Sequence, residues 1–157
     1  MKKQISPPGR ADQASRSKQS EALLRLVQGM RADIADYRRL RELLELQFDA
    51  VLRHQSQALV DVAGKITELV DTLEQRRQER VVLACDVIGP GKPVSMQGVV
   101  RLLAESSRIK VEADWETLEG LVRECKQANM RNCRLLTDQH EIMQRVLNQE
   151  AHTYVPA

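Results

Sequence analysis

Aromatic side chains make up only 3% of this sequence, one Trp, two Tyr and one Phe among 157 residues. Barrel and sandwich cores lean on aromatic and β-branched residues, so a 42% hydrophobic share reached almost without aromatics points to an aliphatic, helical core. Cysteine is scarce as well. Cys85, Cys125 and Cys133 are odd in number and lack C-x-x-C spacing, which excludes a disulfide framework and a zinc ribbon and leaves three small apolar side chains of a reducing compartment. His54, His140 and His152 lie far apart with no H-E-x-x-H spacing, so no metal and no cofactor is expected. No apolar run approaches the roughly 20 residues that span a bilayer, and the Met1-Lys2-Lys3 start has no apolar stretch behind it like that of a secretory signal. The expected location is cytoplasmic, without direct membrane insertion. Gly89-Pro90-Gly91-Lys92-Pro93 lacks the flanking strand and the Ser/Thr of a phosphate loop, and no G-x-S-x-G elbow occurs, so no enzyme activity is expected.

Charge is unevenly spread. Lys2, Lys3, Arg10, Arg16 and Lys18 face a single acid, Asp12, within residues 1–20, a local +4 that leaves the remainder at −2 out of a total of +2. A nucleic-acid binder needs a basic face that displaces counterions from phosphates, with aromatics where bases stack. Nucleic acid is therefore excluded as a partner.

The polar, Pro- and Ser-containing stretch 1–19 predicts a mobile N-terminal segment, followed by one helical domain over 20–150 and a flexible tail over 151–157. From an N-cap at Ser20, apolar residues recur at Leu23, Val27, Met30, Ile34, Tyr37, Leu44, Phe48 and Val51, the three-and-four spacing of a long amphipathic helix. Arg41 interrupts this seam and Leu40 covers for it. The phase restarts at Leu59, Val62, Ile66, Leu69 and Leu73, which predicts a turn near His54; the alternative, one unbroken helix of almost 70 residues, requires a dimer to cover it. The polar run Glu74–Arg80 reads as two solvated turns projecting beyond the packed region. Gly89–Pro93 is a loop, Ser95 caps a short helix to about Glu105, Ser106–Val111 connects, and the last helix starts near Asp114. The predicted fold is all-α: a long antiparallel helical hairpin or coiled coil, a short connecting helix and a long C-terminal helix.

That last helix carries more apolar width than one neighbour covers. Leu118, Leu121, Val122, Leu135, Leu136, Ile142, Met143, Val146 and Leu147 form a stripe broader than the two positions per seven of a coiled-coil seam, so part of it should meet another chain. Asn129 and Asn132 place amides in this stripe. They either set register against the rest of the protein or bond the backbone of a docked peptide. Tyr154 in the short tail is either a plain tail residue or a small docking element.

Four features together resemble the FlgN-type flagellar export chaperones: a leucine-rich first helix with Glu42 and Glu45; the run Ala58-Leu59, Lys65, Leu69, Leu73, Arg80; Asn129-x-x-Asn132-x-x-Leu135-Leu136; and Tyr154. The resemblance implies a cytoplasmic chaperone of the flagellar type III secretion apparatus that holds hook–filament junction proteins and delivers them to the export gate. It implies client contacts along Leu118–Leu147, a gate contact at Tyr154, and the export ATPase as a further partner. A structural homodimeric coiled coil without a client is the alternative, and a weak homodimer is compatible with either.

Overall fold

In the computed structural model the chain is described from Gly9 to Thr153, with side-chain surroundings through Glu150. Four helices follow one another: α1 (Arg10–Leu52), α2 (Ser56–Ile88), α3 (Met96–Arg101) and α4 (Glu105–Thr153). The all-α fold with a short connecting helix and a long last helix is as expected. Among the described residues no helix is long and apolar enough to cross a membrane.

Several boundaries differ from the expectation. Instead of starting at Ser20, α1 starts at Arg10, because the Gly9 carbonyl accepts from the Asp12 and Gln13 amides, Asp12 lies in the first turn, and Gln19 Nε2 donates 3.1 Å to the Val87 carbonyl of α2. Residues 10–19 are thus helical rather than a separate polar segment. Ser95 caps α3 as expected, its Oγ accepting from the Gly98 amide, but the helix stops at Arg101. Its end is held by Arg108, whose Nη2 donates to the Arg101 and Leu103 carbonyls. The stretch 106–111 is then no connector, since the Ala104 carbonyl starts α4 by accepting from the Ser107 and Arg108 amides.

The turn near His54 is as predicted, and its hydrogen bonds explain it. The His54 amide donates to the Val51 carbonyl and the Gln55 amide to the Ala50 carbonyl, the paired bonds of a Schellman end, with His54 at φ +53° in the place glycine usually takes. Gln55 also begins α2, its carbonyl accepting from the Leu59 amide. In the loop after α2, Gly89 and Gly91 adopt φ of +83° and +82°, which side chains disfavour.

Residue contacts group into two units: residues up to Ala35 with Thr72–Leu118, and Asp36–Asp71 with residues from Glu119 onward. In the first unit α1 and α2 run antiparallel, the Gln19–Val87 bond at one end and Asp33 with Arg76 and Arg80 further along. Ala22, Leu26, Ala84, Val87 and Val99 form a core there, with Leu23, Leu83, Ile88 and Met96 packed around it. Met30 is 1% exposed.

The run Glu74–Arg80 does not project into solvent as a whole. Asp33, 1% exposed among these apolar side chains, accepts from Arg76 Nη1 at 2.7 Å and from Arg80 Nη1. Four-residue spacing puts both arginines on one helix face, and the guanidinium of Arg80 lies 5.7 Å from the Trp115 ring. Only the other face, where Arg77 makes two 2.8 Å bonds to Glu74, is the solvated one.

In the second unit α1 and α4 run parallel. Arg41 pairs with Glu124 at 2.5 Å and Arg131 with Glu45 at 3.0 Å, while Leu40 is buried beside Arg41 as the seam required. Arg131 also lies over Phe48, its guanidinium carbon 3.9 Å from the ring centre. The first part of α2 packs more loosely, since the buried residues of that helix are Leu73, Ala84 and Val87, all beyond this unit.

Candidate protein-binding surface

The stripe of α4 divides into a packed part and a bare part. Leu118 and Leu121 are 3% and 5% exposed, and Val122, Leu135 and Leu136 are half-buried. Asn132 is 1% exposed: its Nδ2 donates 2.8 Å to the Leu44 carbonyl and 2.9 Å to Gln47 Oε1, and its Oδ1 accepts from Arg131. Of the two readings of this asparagine, the geometry gives the register bond, with α1 as partner. Leu118, Leu121 and Asn132, expected among the client contacts, are thus enclosed, Asn132 by its bonds to Leu44 and Gln47 of α1. Asn129 is exposed, its Oδ1 accepting from Cys133 Sγ.

Beyond these, Gln139 Nε2 donates 3.2 Å to the Val51 carbonyl near the end of α1. Every residue from His140 to Glu150 is exposed. Four of them are large and apolar: Ile142 at 58%, Met143 at 57%, Val146 at 48% and Leu147 at 54%. Their spacing of one, four and five places all four on one face, continuous with the face that upstream carries Asn132, Leu135 and Leu136. From Gln139 to Thr153 the helix extends about 21 Å at 1.5 Å per residue past this contact. Adjoining the stripe is an open hollow of about 470 Å³ between α1 and α4, lined by Phe48, Leu52, Met130, Arg131, Leu135 and Asp138 among others. Leu52 and Met130 on its rim are half exposed.

The sequence did not single out Gln139 or Gln47, whose spacing alone marks them as surface residues. Tyr154 and the rest of 154–157 lie outside the described residues. Among the described residues no group of three His, Cys, Asp or Glu side chains could hold a metal. Cys85 and Cys133 are exposed, whereas Cys125 is buried against the Tyr37 carbonyl and burial pushes its thiol up from the ordinary range. Since the thiolate is the reactive form, iodoacetamide should modify Cys85 and Cys133 in the native protein and reach Cys125 only on unfolding. Peptide mapping after a timed reaction checks this, and equal labelling of all three would contradict the packing of α4 on α1.

The surface is thus an apolar helix end with a shallow hollow beside it. Comparison with curated proteins found no match, and neither did comparison with solved structures. The family model described as FlgN protein matches residues 23–149, covering most of α1 and all but the last residues of α4. With more than half of its length matched by that model, the chain belongs to the FlgN family.

Proposed function

We propose that this chain is a flagellar export chaperone that holds hook–filament junction proteins on the exposed end of α4 and hands them to the export gate. FlgN proteins are flagellar chaperones, and the observation that carries the finer reading is the bare stripe Ile142, Met143, Val146 and Leu147. Covering the remaining half of four such side chains yields on the order of 1 kcal/mol each. That alone does not offset the cost of association, so the client has to add length of its own, either along Leu135 and Leu136 or in the hollow at Phe48 and Met130. A disordered client segment folding into an amphipathic helix on this face fits, and its ordering cost keeps the complex releasable. Tyr154 is the proposed gate contact, and the export ATPase a further partner.

The test is the double variant Met143→Asp with Val146→Asp. Both positions are exposed, so helicity by circular dichroism should be unchanged while co-purification of junction-protein fragments falls at least tenfold, about 1.4 kcal/mol. Binding that survives both aspartates would move the client elsewhere on the chain.

A further inference from the structure

Within the second unit α4 follows α1 at a fixed offset. The Tyr37 carbonyl accepts from Cys125, the Leu44 carbonyl from Asn132 and the Val51 carbonyl from Gln139, each pair 88 residues apart. Two parallel helices held at one offset through about four turns keep facing each other at that offset for as long as both continue. Here α1 stops first, at Leu52, and the chain turns away through Arg53–Gln55 while α4 runs on bare. Carried straight on, residues 55–62 would lie beside 143–150, with Ala58 and Leu59 level with Val146 and Leu147. The segment the turn carries away therefore has apolar side chains in register with the uncovered stripe.

The turn itself is weakly enforced. Arg53-His54-Gln55-Ser56 contains neither glycine nor proline, so the sequence tolerates helix throughout. Closure instead puts His54 at φ +53°, a backbone conformation disfavoured for residues with a side chain. All four residues are exposed, and α2 buries nothing before Leu73, so little packing at this end resists opening.

We propose that Arg53–Gln55 is a hinge through which two copies of this chain exchange helices. With the hinge open, α1 and α2 form one continuous helix, and each α1 packs on the α2 and α4 of the second copy as it packs on its own in the closed chain. The contacts of the closed chain are remade across the dimer. In addition, residues 55–62 of one copy cover Ile142–Leu147 of the other. The consequence for function rests on the client reading above: a covered stripe is closed to a client, so the exchanged dimer is a self-masked store and the client draws the chain back to the closed form.

Sedimentation of the full chain over a concentration series, with no client present, reads the dimer dissociation constant independently of client capture. His54→Gly, which suits positive φ, should weaken the dimer, and His54→Ala, which suits helix, should strengthen it. Two turns open per dimer, so the constants of the two variants should differ by about tenfold or more. A second measurement uses Leu59→Cys with Leu147→Cys in a chain carrying Cys85→Ser and Cys133→Ser, where oxidation should give a covalent dimer. Equal constants for the two turn variants, a His54→Ala chain that stays monomeric, or cross-links confined within single chains would each overturn the proposal.

Discussion

Asp33→Asn should lower stability by about 3 kcal/mol, the largest loss expected from any polar substitution in this chain. The side chain is 2% exposed and each of its oxygens accepts from a guanidinium group, so the amide keeps the shape but removes the charge and turns one of the two acceptors into a donor. Arg76 and Arg80 would then lie one helical turn apart with the carboxylate charge between them gone. Each is about a fifth exposed, 21% and 20%, which lets water relieve part of the cost and sets the expectation at the low end of the range for breaking a buried pair. Urea unfolding followed by circular dichroism should show a lower midpoint with an unchanged slope. Glu74→Gln is the control: Glu74 and Arg77 bond on an exposed face three residues apart, a geometry that contributes little measurable stability. If the two variants shift the midpoint equally, the Asp33 cluster does not hold α1 to α2.

Asn132→Ala should cost about 2 kcal/mol, while Asn129→Ala, three residues away, should change stability by less than about 0.5 kcal/mol. The difference follows from where each amide goes. Asn132 bridges to α1 through the buried Leu44 carbonyl and the half-buried Gln47, so truncation strands the Leu44 carbonyl and opens a void. Asn129 is exposed on the surface of α4. Thermal or urea unfolding of the two single variants decides the matter. A larger loss at Asn129 would mean that α4 sits on α1 with another face.

These two sites also mark the limit of what spacing reveals. The periodicity of α1, the break at His54, the Gly89–Pro93 loop and the Ser95 cap are local patterns, each written within a few residues, and each was readable. The inward turn of Arg76 and Arg80 was not, because their partner lies 43 and 47 residues earlier and a charged run reads the same whether it faces water or a buried carboxylate. The start of α4 was misplaced for a related reason: Ser106 and Ser107 argue for a connector until the Ala104 carbonyl is found capping the helix. For the stripe on α4, the sequence established its width, and the division at Gln139 depends on where α1 ends. Leu118 and Ile142 look alike in the pattern and differ only in whether a neighbouring helix still accompanies them.

Trp115 is the only indole among 157 residues, and it lies within the first unit, beside the guanidinium of Arg80. Its emission therefore watches one half of the molecule while far-ultraviolet ellipticity sums over both. Melting curves recorded by the two signals will superimpose if the halves come apart together and diverge if they do not, so the protein carries its own optical gauge of cooperativity.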